Sequence, residues 1–170
     1  MTKRALTLDE IHLAQQVFGT AIDYAKVKIG CGAWWLVSGQ AAMCTGTCIV
    51  FPPDHYVADF AAGSQAQQAW LIHELTHVWQ YQQGFALLWG GICLGLRGGY
   101  LGHRGYHCSN LAQVFDFRSL NMEQQAEMMA QFFQAAWCAD ARYVPMLPHY
   151  RRLLKPFFQR GQARCLLPHY

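Results

Sequence analysis

The segment from Ser64 to Gly84 carries the boundary signals of one long helix, and this helix brings two histidines together. Ser64 is a favourable N-cap residue, and Gly84 stands where a glycine commonly ends a helix. His73 and His77 lie four residues apart between them, so both rings belong to one helical face. Apolar and small residues surround the pair. The sequence therefore predicts a helix that packs against a core and presents two imidazoles side by side.

A carboxylate accompanies the two histidines. Residues 73–77 read His-Glu-Leu-Thr-His, the H-E-x-x-H spacing of zinc peptidases. In that arrangement His73 and His77 bind one metal ion, and Glu74 reaches a water bound to it. The alternative is a helix that merely happens to contain two histidines. The motif predicts a metal-dependent hydrolase with Glu74 as its catalytic residue.

The composition restricts the class of protein. The chain has 170 residues, of which 53% are hydrophobic and only 14% are charged, against about a quarter in typical domains. We assign most of this apolar surplus to a core, and the alternative is a surface for a partner. The net charge of +3, without a basic stripe interleaved with aromatics, argues against nucleic-acid binding. The length predicts a single domain over 1–170.

The cysteines and the apolar segments bear on location. Seven cysteines at irregular spacing do not form a disulfide framework, and Cys44 and Cys48 lack a second pair for a structural zinc site. No apolar run follows the basic pair near the N-terminus, so we expect no signal peptide. The longest apolar stretch, 85–96, is too short for a transmembrane helix. These features predict a cytoplasmic protein in the cell that makes it.

The remaining pattern predicts an α+β fold that is mainly helical and zincin-like, with a small β-hairpin or sheet before the H-E-x-x-H helix. Thr7 and Glu10 have the form of a capping box, which predicts a helix over about 8–19. The glycine-rich segment 84–105 is either a lid or binding segment, or a poorly ordered connector. The other predicted elements are strands at 24–29 and 47–51, a helix from Asn121 to near Cys138, and a last helix at 149–160.

A catalytic zinc usually takes three protein ligands, so the motif needs one more donor. Glu123 and Glu127 are four residues apart on the next predicted helix. Glu123 is the predicted third ligand, and Glu127 is predicted to accept the free ring N–H of a ligating histidine. The alternative is two solvated acids near a helix N-terminus. A third histidine six residues after the motif is absent, since position 83 is Gln. Other donors that remain open are His103, His107 and Cys108.

The motif His-Glu-Leu-Thr-His-Val-Trp-Gln, followed about 45 residues later by Glu-Gln-Gln-Ala-Glu, resembles the small Vgr-related or Rhs-associated proteins of bacteria. These are gluzincin-type domains encoded near type VI secretion and related contractile injection systems. The likeness also includes Ala-Ile-Asp-Tyr-Ala-Lys-Val-Lys-Ile at 21–29 and Asp-Phe-Ala at 59–61. It covers most of residues 5–140, which implies the core of the domain there and a helical extension at 141–170. In gluzincins the third ligand precedes a supporting acid by four residues, which the resemblance carries over onto Glu123 and Glu127.

The predicted function is therefore zinc-dependent hydrolysis of a peptide or amide bond. Glu74 takes a proton from water and delivers it to the leaving amine. Donors for the carbonyl oxygen are expected in the segment that covers the site, where the candidates are Tyr100, His103, Tyr106 and His107.

The resemblance implies either a toxin effector or a processing protease of a type VI or Rhs system, exported by a contractile secretion system. Its partners would be a peptide or protein substrate, a secreted Rhs or Vgr-type protein, or an immunity protein. The alternative function is a zinc-stabilised, non-catalytic adaptor or chaperone-like module.

Overall fold

The computed structural model describes residues 3–32, 42–87, 114–160 and 164–168. Within these ranges the chain folds as a mixed α+β protein with four helices and a small four-stranded sheet, which confirms the predicted fold class. None of the described helices is both long and apolar enough to cross a bilayer. The helices are α1 (Leu8–Phe18), α2 (Gln65–Gln82), α3 (Met122–Ala136) and α4 (Leu147–Arg160).

Helix α1 begins with the predicted capping box. The Thr7 side chain accepts a hydrogen bond from the Glu10 N–H, and the Glu10 carboxylate accepts one from the Thr7 N–H. Glu10 is fully buried and does more than cap the helix. Its carboxylate also accepts from both terminal nitrogens of Arg4, at 2.7 and 2.8 Å, and from the backbone N–H of Phe60. This one side chain therefore joins the first strand, α1 and the segment that leads into α2.

Replacing Glu10 by glutamine is expected to destabilise the protein by about 2 kcal/mol. The buried carboxylate accepts several hydrogen bonds, and these bonds are weaker when the acceptor is a neutral amide. For a chain of this size the loss of stability corresponds to a fall in Tm of about 4–8 °C. Asp9→Asn is the matched control, since Asp9 is exposed in the same helical turn. We expect the control to change stability by a few tenths of a kcal/mol. Equal effects in thermal denaturation would contradict this role for Glu10.

The sheet has the strand order β1-β2-β4-β3. Its strands are β1 (Lys3–Ala5), β2 (Lys28–Cys31), β3 (Met43–Thr45) and β4 (Cys48–Phe51). Strand β2 pairs with β4 in parallel, whereas β1 with β2 and β3 with β4 pair antiparallel. The two predicted strands thus share a sheet but do not form a hairpin with each other. A parallel pair needs a long connection, and residues 32–47 supply it.

The predicted strand at 24–29 starts too early. Tyr24–Lys26 forms a 3-10 turn, and β2 begins only at Lys28. The hairpin that the structure does contain joins β3 to β4 through Gly46, which has φ +77°. A Cβ at that position would also lie 3.1 Å from the Tyr81 ring, so both backbone conformation and space favour glycine there.

Helix α2 follows the predicted boundaries closely. The Ser64 side chain accepts from the Gln67 N–H, and the Gln67 side chain closes a capping box. Gly84 has φ +94°, as expected of a glycine just beyond a helix C-terminus. Most of α2 from Leu71 onward is buried, because the sheet lies on one side and α3 packs along another. The motif therefore lies between packed elements and not on a solvated helix.

The C-terminal helix closes the core beside the second half of α2. Phe157 of α4 packs edge-on against Trp79 at 5.1 Å and against Phe18 at 6.1 Å between ring centroids. Helix α4 begins at Leu147, two residues before its predicted start, and contains Pro156. Helix α3 ends at Ala136, slightly before the predicted Cys138. These packed aromatics fix the face of α2 opposite the histidines.

Candidate metal centre

Two helices bring the three predicted ligands together. His73 and His77 are one turn apart on α2, and Glu123 lies in the first turn of α3. Asn121 fixes the start of α3 through a reciprocal capping box with Gln124. Helix α3 packs more extensively against α2 than any other element does among the described residues. As a result, the Glu123 carboxylate faces the two imidazoles, at a helix end that favours negative charge.

The distances between donor atoms suit a single small cation. Glu123 Oε2 lies 3.4 Å from His73 Nε2 and 3.3 Å from His77 Nε2, and the three ligand atoms all lie within 4.8 Å of one another. Donors on a tetrahedral zinc with bonds of about 2.0–2.1 Å lie about 3.4 Å apart. The donor set of two nitrogens and one oxygen also matches zinc chemistry. Within the described ranges, this is the one group of three or more His, Cys, Asp or Glu residues with such a geometry.

The electrostatics of the cluster follow from burial and close opposite charge. Burial lowers the pKa of His73, but the nearby carboxylates of Glu123 and Glu127 outweigh burial and raise the pKa to about 10. Burial also lowers the pKa of His77, but the Glu123 carboxylate outweighs burial and raises that pKa above its usual value. The two imidazoles in turn hold the pKa of Glu123 well below its usual range, despite its burial. Protons and a metal ion compete for these nitrogens, so binding of a cation releases protons.

Each histidine has a further contact at its other ring nitrogen. His73 Nδ1 lies 3.7 Å from Glu127 Oε2, and Glu127 Oε1 accepts a 2.7 Å hydrogen bond from Gln131. His77 Nδ1 lies 2.9 Å from Oε1 of Gln80, which is fully buried. In both cases Nε2 is the nitrogen that faces Glu123. Contacts of this kind orient the ligands of metal centres.

Glu74 lies beside the cluster and is 5% exposed. Its Oε1 accepts a 3.2 Å hydrogen bond from the indole N–H of Trp70, one turn earlier on α2. Burial raises the pKa of the Glu74 carboxyl, and the neighbouring charges of His73 and His77 oppose that rise. Glu74 is thus a poorly solvated carboxylate held by one directed hydrogen bond. A group of this kind accepts a proton more readily than an exposed carboxylate does.

The sequence alone does not reveal that Trp70 contacts Glu74 or that Gln80 contacts His77, although both residues stand at helical spacing from a motif residue. Trp70 also packs edge-on against Phe51 at 5.2 Å and His55 at 5.4 Å, which ties the carboxylate to strand β4. Spacing alone offers a weak signal, because an aromatic residue one turn from a motif is more commonly part of a core.

Replacing Trp70 by phenylalanine is expected to lower kcat for the hydrolysis that the motif predicts about threefold to tenfold, since one hydrogen bond that orients Glu74 is lost. Metal content and KM are expected to stay unchanged. Trp137→Phe is the matched control, because Trp137 is half-exposed at the end of α3. The assignment fails if both variants lose the same activity, or if Trp70→Phe loses metal.

The other predicted site residues have different outcomes. Cys44 and Cys48 belong to the β3-β4 hairpin and are outside the His-His-Glu group. Burial raises the pKa of the Cys44 thiol well above its usual range. The proposed oxyanion donors and the remaining alternative ligand lie outside the described residues, and these are Tyr100, His103, Tyr106, His107 and Cys108.

The fold and site define a domain with an H-E-x-x-H helix, a glutamate from a second helix and a small sheet. Comparison with known proteins shows which proteins this chain resembles. Residues 9–85 match the family model of the eCIS core domain. The chain is 33% identical over 132 residues, 76% of its length, to the type VI secretion system spike protein VgrG2b of Pseudomonas aeruginosa strain PAO1. It spans only 13% of the length of that relative.

A solved structure gives the corresponding likeness in three dimensions. The effector domain of Pseudomonas aeruginosa VgrG2b superposes with a TM-score of 0.70 and 29% identity, over 91% of this chain and 82% of that domain. The chain is therefore homologous to the effector domain of VgrG2b, which confirms the Vgr-related part of the resemblance seen in the sequence.

Proposed function

We propose that the protein is a zinc-dependent peptidase and acts as an effector associated with type VI secretion. The observation that carries the proposal is the spacing of 3.3 and 3.4 Å between Glu123 Oε2 and the two Nε2 atoms, with Glu74 beside them. Ion-pair clusters without a metal also occur in proteins. A catalytic zinc centre accounts better for a cluster in which three donors converge and a separate carboxylate remains.

The donor set favours zinc over harder cations. Mg²⁺ and Ca²⁺ prefer ligand shells made of oxygen atoms, whereas two imidazoles and one carboxylate suit zinc with an open fourth position. Zinc bound there would polarise a scissile carbonyl and lower the pKa of a coordinated water. His73, His77 and Glu123 would hold the ion. Glu127 and Gln80 would orient the two rings through their Nδ1 positions.

Glu74 is the proton carrier of the proposed reaction. One of its carboxylate oxygens accepts the Trp70 N–H, and the other would accept a proton from the attacking water. The water oxygen forms a bond to the carbonyl carbon, the carbon–nitrogen bond breaks, and Glu74 returns the proton to the leaving amine. Burial favours the uptake of the proton, because it keeps the carboxylate poorly solvated and its pKa above the usual range.

The homology supports the biological role. An effector domain of a type VI spike protein is similar to this chain over most of its described fold. We infer from this an exported toxin or processing enzyme that acts on a peptide or protein substrate, with an immunity protein or a Vgr-type secretion protein as its partner. Cleavage of a protein encoded beside it would favour processing, whereas a neighbouring immunity gene would favour the toxin.

The test is hydrolysis by the purified, zinc-loaded protein of a peptide library and of peptides derived from peptidoglycan, followed by mass spectrometry of the products. We expect cleavage that a chelator abolishes and added zinc restores. Stoichiometric zinc without cleavage of any peptide would contradict the peptidase and leave the non-catalytic adaptor. Cleavage that persists in the chelator would exclude a metal mechanism.

A further inference from the structure

We propose that Gln80 is a positioning residue that keeps a proton on His77 Nδ1, and that Gln125 and three backbone carbonyls fix Gln80 in the required orientation. The consequence for metal binding rests on the proposed function. The assignment of the proton does not, because it follows from which groups are able to donate and which can only accept.

Gln125, on α3, has an amide whose orientation is fixed by the backbone. Its Nε2 lies 3.0 Å from the carbonyl oxygen of Phe117 and 3.0 Å from that of Leu166. Carbonyl oxygens accept hydrogen bonds and never donate them, so the amide nitrogen of Gln125 must point towards both. Its two protons are then fully used, and its Oε1 must point the other way.

The amide of Gln80 is oriented in the same way. Its Nε2 lies 3.0 Å from Gln125 Oε1 and 3.1 Å from the carbonyl oxygen of Met122. Both neighbours can only accept in this arrangement, so the amide nitrogen of Gln80 is assigned to that side and both of its protons are used. Oε1 of Gln80 therefore faces His77 Nδ1, 2.9 Å away. Because an amide oxygen cannot donate, His77 Nδ1 must carry the proton of this contact.

Burial makes the arrangement rigid. Gln80 and Gln125 are fully buried, and His77 is 5% exposed. Turning either amide around would place nitrogen against nitrogen or oxygen against oxygen, with no access to water that could compensate. The orientation is thus set by the backbone at Phe117, Met122 and Leu166.

The proton on Nδ1 determines the state of the other ring nitrogen of His77, Nε2. With its proton on Nδ1, neutral His77 presents the lone pair of Nε2 to the space beside Glu123 Oε2, 3.3 Å away. A lone pair and a carboxylate oxygen facing each other at that distance require a cation or a second proton between them. The two amides therefore prepare His77 to bind a metal through Nε2 only. They also couple the centre to the turn Arg164–Leu166, which supplies the Leu166 carbonyl.

The first measurement is the protonation of His77 in the wild-type protein with ¹⁵N-labelled histidine, using long-range proton–nitrogen NMR spectra. The His77 signals are assigned by their loss in His77→Ala. We expect a protected Nδ1-bound proton in the metal-free protein and in the zinc-loaded protein. A His77 ring whose Nδ1 lacks a proton in either state would overturn the proposal, whatever the enzyme does.

The second measurement compares the affinity of two variants for Zn²⁺ by competition with a chelator. Gln80→Met removes the acceptor and is expected to weaken zinc binding about 10–100-fold and to abolish the protected Nδ1 proton. Thr76→Val is the control, because the Thr76 hydroxyl is equally buried on the same helix but donates to the Ile72 carbonyl and not to the Gln80 network. We expect this control to weaken binding less than about fivefold and to keep the proton signal.

Equal losses in the two variants would show a merely structural role and overturn the proposal. An unchanged zinc affinity in Gln80→Met would overturn it as well. If the wild type binds no zinc, the proposed function fails, while the NMR result on the metal-free protein still decides the proton assignment. The two failures are therefore distinguishable.

Discussion

Replacing Glu74 by glutamine is expected to lower kcat/KM for peptide hydrolysis by about 10²- to 10⁴-fold, the usual contribution of a general base. The amide is close in size and can still accept the Trp70 N–H through its oxygen. It cannot take a proton from water. Because Glu74 is not among the three converging donors, the variant is expected to keep its metal. The measurements are steady-state kinetics on a cleaved peptide and metal content of the same sample.

Glu127→Gln is the informative control for that variant. It changes a carboxylate to an amide at the same site, but at a residue that contacts His73 Nδ1 instead of a reacting group. We expect a loss of metal affinity of about 10-fold or more, with activity recovered at saturating zinc. Undiminished cleavage by Glu74→Gln would remove Glu74 from the mechanism. Recovery of that variant by extra zinc would mean that Glu74 acts on metal binding.

Zinc is expected to raise the thermal stability of the wild type strongly. Saturation at a free concentration about 1,000 times Kd stabilises a folded protein by about 4 kcal/mol, which corresponds to about 8–16 °C in Tm for a chain of this size. Much of this effect should require Glu123, the donor that α3 contributes. The replacement Glu123→Gln keeps the shape of the side chain but removes the charge, and we expect less than about a third of the shift.

Differential scanning fluorimetry against zinc concentration measures this effect, with magnesium at equal concentration as the ion control. Magnesium is expected to leave Tm almost unchanged, because two of the three donors are imidazoles. Equal shifts in the wild type and in Glu123→Gln would place the stabilising zinc elsewhere in the protein. The seven cysteines and eight histidines of the chain make that a real alternative.

Local signals in the sequence were sufficient for the helix that carries the motif. Ser64 and Gly84 fix its ends through capping and glycine geometry, which depend on neighbouring residues alone. The four-residue spacing of Glu123 and Glu127 likewise placed both acids on one face of α3. In the structure both carboxylates approach His73.

The contacts of Trp70 and Gln80 depended on tertiary structure. Gln80 is oriented by Gln125 from another helix and, through it, by the backbone of Leu166 far along the chain. Trp70 is positioned by packing against Phe51 of the sheet. Neither partner is visible in the local sequence, where glutamine and tryptophan are common helix residues.

The sheet was harder to predict for a related reason. Strands of three or four residues show too little alternation to distinguish them from turns, and Tyr24–Lys26 forms a turn where the alternation predicts a strand. The parallel pairing of β2 with β4 joins strands that are well separated along the chain, and local sequence patterns do not reveal such a pairing. The pairing of β1 with β2 likewise joins the start of the chain to a strand beyond α1.

The most direct test of the proposed zinc centre is the metal content of the purified wild type and of His77→Ala. Both proteins are expressed in metal-replete medium and measured by inductively coupled plasma mass spectrometry. A centre built from His73, His77 and Glu123 predicts about one zinc per wild-type chain and almost none in the variant. Circular dichroism would verify that both proteins are folded. A folded wild type without zinc, or equal zinc in the two proteins, would contradict the account.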